Sequence, residues 1–298
     1  MSDMTGAHFL NERGRELKAA GDIAGAEAAY RAAFGVAPEW SIPAYNLGLL
    51  FKYESRWQES LEWNQKAAAL DPDDEAAWWN LGIAATALGR WVDARMAWQR
   101  CGMADPGGDD PPDYRFGRVP VRLDPEGDGE VVWASRLDPA RARLISIPLP
   151  TSPFRWGDVV LNDGAAEGHR TVNGRDVPVF NVLQRLVPST IRTFVVELAT
   201  TDRSAVDALE DIARDMGGAA EHWGLTTRIM CRDCSYGRPH EHAGAGERPA
   251  HDHCGLVAPS REAAQAMLDR WMASCDAADL VTWYELEEAS EAEPREHS

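Results

Sequence analysis

Apolar and small residues in the first third of the chain recur with a period of 34, so that residues 7–40, 41–74 and 75–108 superimpose in register. Gly14, Gly48 and Gly82 stand at the eighth position and Gly21, Ser55 and Gly89 at the fifteenth. Ile23, Trp57 and Trp91 follow at the seventeenth, and Ala26, Ser60 and Ala94 at the twentieth; Pro38, Pro72 and Pro106 lie near the close of each copy. A repeat of this length predicts an array of helical hairpins. Small residues at the eighth and twentieth positions let helix A and helix B of one hairpin approach closely, and the proline cannot continue helix B. Each hairpin alone leaves an apolar face bare; stacking buries it, and about three units suffice for an independent array.

The periodicity changes after Asp105-Pro-Gly-Gly-Asp-Asp-Pro-Pro-Asp113, a stretch dense in helix breakers. Val131–Ser135, Ala142–Ile147 and Asp158–Leu161 are short β-branched runs, separated by turn material such as Asn162-Asp-Gly164 and Asn173-Gly174. They predict a small, mostly β module over residues 119–188, a barrel being one form open to it. Residues 190–287 alternate more sharply. Strands are predicted at Arg192–Ala199, Thr226–Met230, Cys254–Ala258 and Leu280–Leu286. Helices are predicted from Ser204 to Met216, capped by Asp202, and from the Ser260 cap to about Ala273. The order βαββαβ is that of a ferredoxin-like sandwich, so the expected class is α+β multidomain. Residues 288–298 read as an acidic, disordered tail.

In the third copy Trp78, Leu81, Gly82, Ala94 and Pro106 reproduce a known signature, and residues 7–108 therefore resemble the tetratricopeptide repeat (TPR) family. The resemblance implies a protein-interaction adaptor or scaffold more readily than a catalyst. It also implies a concave surface lined by helix A, at offsets two, five, six, nine, twelve and thirteen. Those offsets nominate Asn11, Glu12, Arg15 and Lys18 in the first unit, Tyr45, Asn46, Leu49, Lys52 and Tyr53 in the second, and Trp79, Asn80 and Ile83 in the third. The subfamily that holds the terminal carboxylate of chaperone tails is matched at Asn46 and loosely at Arg15. Ala76 and Asn80 stand where it requires basic residues, so an amphipathic or extended peptide anchored by aromatics is the expected partner.

Charge narrows the partners further. A formal charge of −18 gives no bulk means of releasing counterions from phosphate, so nucleic acid is not an expected ligand. Only Lys18, Lys52 and Lys66 are lysines; this arginine-dominated usage suggests a GC-rich bacterial coding sequence. No stretch reads as a membrane span, and Met1-Ser-Asp-Met-Thr5 carries no secretory n-region, so a cytoplasmic location and reduced thiols are expected.

One insert stands apart chemically. Residues 231–254 hold three of the five cysteines and four of the eight histidines. Cys231-x2-Cys234 with His240 and His242 is the preferred tetrahedral set for a structural zinc, with His251, His253 and Cys254 as alternates. A hydrophilic insert of this kind cannot order itself by burial, and a metal would supply that energy. No nucleophile elbow or other catalytic motif occurs. The alternatives to an adaptor are a metal-dependent hydrolase or a metal or redox sensor working at this cluster, or an acidic regulatory, immunity-like protein that masks a basic partner. Arg155-Trp-Gly-Asp158 and Asn162-Asp-Gly164, with His169 nearby, place polar groups around one hairpin, where such residues serve turns.

Overall fold

The computed structural model describes residues 4–125, 129–172, 174–200, 202–225 and 252–287, and shows an α+β protein. Two compact units divide it: Met1–Arg115 with the loop Leu137–Arg141, and Phe116–Arg136 with Ala142–Ser298.

The first unit contains α1 (Met4–Ala19), α2 (Ile23–Val36), α3 (Ser41–Tyr53), α4 (Trp57–Leu70), α5 (Glu75–Ala87) and α6 (Trp91–Arg100), which pair as three hairpins. Caps fall where the repeat places polar residues. Asp22 accepts from the Gly25 N–H at 2.8 Å, and Asp74 from the Ala76 N–H at 3.0 Å. The AB turn needs a left-handed residue: Gly21, Ser55 and Gly89 have φ of 82°, 54° and 66°, and Ser55 bears the steric cost of a Cβ there.

The glycine at the eighth position has a partner that keeps the same period. A Cβ on Gly14, Gly48 or Gly82 would come within 2.5 Å of the Tyr30, Asn64 or Trp98 side chain respectively. Ser60 Oγ donates to the Gly48 carbonyl at 2.8 Å and Thr86 Oγ1 to that of Gly82 at 2.7 Å, so the small polar residues at this seam are satisfied. For Gly82→Ala, the helix gains about 1 kcal/mol of propensity. The overlap with the fully buried Trp98 ring costs about 1–3 kcal/mol. A net loss of about 1 kcal/mol is expected in urea denaturation; a gain in stability would show that close approach is not what the glycine provides.

The second unit begins with a closed five-stranded barrel: β1 (Gly117–Arg122), β2 (Val131–Arg136), β3 (Arg141–Leu144), β4 (Val159–Val172) and β5 (Arg175–Val187). Parallel pairing of Val121 with Phe180 and Arg122 with Asn181 closes it. Val119, Val121, Val132, Leu144, Val160 and Val182 fill its interior. Arg122 is fully buried, and its guanidinium is satisfied by Asn181 Oδ1 at 2.6 Å and the Glu167 carbonyl at 3.2 Å. Asn162-Asp-Gly164 is not the expected turn. It lies inside β4, where the ladder to β5 shifts register, and Asp163 Oδ1 accepts locally from the Gly164 N–H at 2.7 Å. Gly174, at φ 73°, lies between β4 and β5, and Asn173 lies outside the described residues.

The remaining sheet contains β6 (Arg192–Leu198), β7 (Ala219–His222), β8 (Asp252–Ala258) and β9 (Leu280–Glu285), in the order β7-β8-β6-β9. All three strand pairs are antiparallel. The helices α7 (Arg203–Asp215) and α8 (Arg261–Ser274) start at Asp202 and Ser260, each accepting from a first-turn N–H. The second strand is Ala219–His222, upstream of the expected Thr226–Met230, which lies outside the described residues. An edge strand paired only to β8, with no β-branched residue, carries no hydropathy signal.

One face of this sheet packs Phe194, Val196, Leu198, Cys254 and Leu256 under α7 and α8. The other presents Val195 and Val257 to Ile147 and Trp223. Glycine at 255 permits that second contact, since a Cβ would meet Ile147 at 2.6 Å. Trp223 Nε1 donates to the Ile147 carbonyl at 2.9 Å, and the Ile147 N–H to Glu221 Oε2 at 2.7 Å.

Candidate functional site

The surface shared by α1 and α3 gathers most of the nominated side chains. Asn46 Nδ2 donates to Asn11 Oδ1 at 2.8 Å, which fixes the two helices side by side and orients both amides. One turn on, Lys18 from α1 and Lys52 from α3 address the same ring: their Nζ atoms lie 5.2 Å and 4.5 Å from the centroid of Tyr53. Both lysines occupy offset twelve, so the repeat itself stacks them. The ring face is negative and offsets part of the cost of holding two ammonium groups together.

Electrostatics at Lys18 follow from that crowding. Burial is the larger cause and Lys52 the next, and together they lower its pKa from the ordinary 10.5; Glu54 opposes them. Arg15 is exposed and pairs with Glu12 at 3.1 Å, a weak surface contact. Tyr45 and Leu49 are half-buried between these groups, and Tyr53 is 48% exposed.

Burial increases along the array at offsets six and nine, though not at offset five, where Asn11 is buried and Tyr45 and Trp79 are half-buried. At offset nine Arg15 is exposed, Leu49 half-buried and Ile83 fully buried; at offset six Glu12 is exposed, Asn46 half-buried and Asn80 buried. Ile83 and Asn80 therefore present little surface to a ligand, and the same holds for Asn11 and Lys52, each 3% exposed; the candidate site contracts to the first two units, where Lys18, Tyr45, Asn46, Leu49 and Tyr53 carry its surface. Trp79 is half-buried against Trp98, with ring centroids 5.4 Å apart. Glu54 belongs to the site although it was not nominated. It lies just past α3, outside the repeated offsets.

Of the metal-ligand candidates, Cys231, Cys234, His240, His242 and His251 lie outside the described residues. Cys254 is on β8, 1% exposed, in the apolar layer under α7 and α8, while its neighbour His253 is half-buried. Among the described residues no group of three metal-binding side chains forms. Cys101 ends α6 half-buried, and burial, aided by Glu75, pushes its thiol up to about 11, which suppresses reactivity.

Three stacked hairpins of this period, each closed by a glycine against the side chain sixteen residues on, give residues 7–108 the helical-hairpin architecture that their resemblance to tetratricopeptide repeats implies. No protein-family model matches the chain, and no curated protein matches it. Solved structures similar to it include the second TPR of Spaghetti (RPAP3) bound to HSP90 peptide SRMEEVD, 18% identical, covering 33% of this chain and 91% of that one, with a TM-score of 0.32. The Arabidopsis OM64 TPR domain is 19% identical over 32% of this chain and 79% of its own, at a TM-score of 0.31. The TPR2B-domain:pHsp70 complex of yeast Sti1 is 21% identical over 32% and 77%, also at 0.31. Among the described residues, no helix is long and apolar enough to cross a membrane.

Proposed function

We propose that this protein is an interaction adaptor whose first two repeats bind an extended peptide carrying an acidic group. The observation that supports this most is the Lys18–Tyr53–Lys52 stack beside the Asn11–Asn46 pair. The half-buried Lys18 ammonium, with the buried Lys52 adding to the local positive charge, favours an anion in a chain of charge −18, and the half-buried Asn46 amide can pair with a peptide backbone. Tyr45 and Leu49 offer the apolar anchor. A chaperone tail is not the proposed ligand, because Ala76 and Asn80 leave the third unit without the required basic residues.

Lys18→Met tests the reading in fluorescence polarisation with an acidic peptide. About tenfold weaker binding is expected, the value of one hydrogen bond to a charged group. Affinity of the unsubstituted chain should fall with rising pH at values below 10.5, because the lowered Lys18 pKa removes its charge early, and the variant should lose that dependence. The stability sign is opposite. A depressed lysine pKa disfavours the protonated form in the folded chain, a cost present at low pH and relieved as pH rises through the folded pKa. The variant should therefore be at least as stable at neutral pH, so weaker binding cannot be ascribed to unfolding. Unchanged affinity would refute the site.

The second unit is read as the adaptor's other half. We infer a ferredoxin-like domain at residues 190–287, supported by the strand order β7-β8-β6-β9 and wholly antiparallel pairing. We also propose a structural zinc held by Cys231, Cys234, His240 and His242, on the chemistry of the donor set alone. Elemental mass spectrometry should find about one zinc per chain, lost in Cys231→Ser/Cys234→Ser; absence of metal from both would end that reading.

A further inference from the structure

The second unit holds a cleft of about 570 Å³ where the end of the barrel meets the start of β6. Three arginines and two carboxylates line it in a chain that is otherwise strongly acidic. The carboxylates are already committed. Asp158, 1% exposed, accepts from the backbone N–H groups of Ser189 at 2.7 Å and Arg155 at 2.9 Å, and Arg185 Nη1 stands 3.7 Å away. Glu285 takes both of its contacts from Arg192 Nη1, at 3.0 and 3.3 Å.

The arginines are less fully used. Arg155 is a fixed charge, donating to the carbonyls of Ser152, Phe154 and Glu287. Arg185 spends only Nη1, on the Pro153 carbonyl at 2.9 Å and on Asp158, which leaves Nε and Nη2 as donors. Arg192 stays with Glu285, on the face of β6 opposite to Thr193. An independent feature lies in the same wall: Thr193 is 4% exposed, and its hydroxyl is buried with no hydrogen-bond partner. A buried hydroxyl left unpaired costs free energy that an incoming acceptor would recover.

We propose that this cleft binds a phosphate-bearing small molecule, whose phosphoryl oxygens are received by Arg185 and the Thr193 hydroxyl. These donors come from two strands, β5 and β6, so they approach from different sides. That suits a tetrahedral anion, whereas a planar carboxylate is saturated by one guanidinium fork. The cleft is also larger than phosphate alone, with room for an organic remainder.

Isothermal titration of the full chain with inorganic phosphate, ribose 5-phosphate and acetate tests the assignment. Both phosphates are expected to bind saturably, ribose 5-phosphate the tighter, and acetate not to compete. Arg185→Met should weaken binding about tenfold. Thr193→Val keeps the side-chain shape and removes a hydroxyl that has no partner. It should therefore hold or raise the melting temperature while weakening phosphate binding several-fold. No saturable binding of either phosphate, equal competition by acetate, or Thr193→Val binding like the unsubstituted chain would each overturn the proposal.

Discussion

Trp271→Ala should remove about 3–5 kcal/mol from the stability of the second unit, a large part of the roughly 5–15 kcal/mol that a domain has in total. The residue lies on α8, is fully buried, and donates from its indole Nε1 to the Ala205 carbonyl on α7 at 2.7 Å. It joins Leu268 and Met267 over Phe194, Val196 and Leu256 of the sheet, so its removal opens a cavity between both helices and the strands beneath. Neighbours held by a helix and by a hydrogen-bonded ladder can collapse only partly into that space. Trp271→Phe retains most of the apolar volume and loses the indole donor, and should cost clearly less. Urea denaturation followed by circular dichroism would separate the two. An alanine variant that loses only about 1 kcal/mol would mean that the layer is loosely packed at this point.

That tryptophan was placed by its helix alone, and the contrast shows what a sequence encodes locally. The hairpins were legible because every determinant recurs every 34 residues: the left-handed turn at Gly21, Ser55 and Gly89, and the close approach at Gly14, Gly48 and Gly82. The partners of those glycines, Tyr30, Asn64 and Trp98, differ in type, so the period marked the contact and not its chemistry. In the barrel, Asn162-Asp-Gly164 has the composition of a turn, and the local bond from the Gly164 N–H to Asp163 forms here within a strand, so only strand pairing across β4 and β5 decides between turn and bulge. The β7 strand has no hydropathy alternation because the sheet, not its own composition, holds it.

The candidate sites divide in the same way. Lys18 and Lys52 were recoverable because one offset of the repeat stacks them on Tyr53. Asn80 and Ile83 share the offsets of Asn46 and Leu49, yet they are buried, since a third copy has a different environment from the second even where its sequence keeps register. Arg155 and Asp158 were visible as polar residues near a turn. Their meeting with Arg185 and Thr193 depends on a barrel and a sheet coming together through Ile147 and Trp223, which no local pattern reports.

Asp138→Ala should be among the most destabilising single changes in the first unit, at about 3–5 kcal/mol, because it strips the counter-charge from a buried guanidinium. Asp138 is 1% exposed and acts at once as a turn former and an ion partner. Oδ1 accepts from the backbone N–H groups of Ala140 at 2.8 Å and Arg141 at 2.7 Å, and Oδ2 accepts from Arg141 Nε at 2.6 Å. The Arg141 side chain, 6% exposed, also donates to the Pro112 carbonyl and lies 4.7 Å from the Trp91 ring centroid at the start of α6. Alanine leaves that cation in place with its carbonyl and its aromatic face, but without the charge that makes its burial tolerable. Asp138→Asn can still accept from the loop backbone and should lose less. Adding Arg141→Met to Asp138→Ala removes the stranded cation while keeping an apolar stem against Trp91, and should recover part of the loss. A double-mutant cycle in urea then gives a coupling energy of about 1–3 kcal/mol. Strict additivity would show instead that the aspartate acts only through the backbone of its turn.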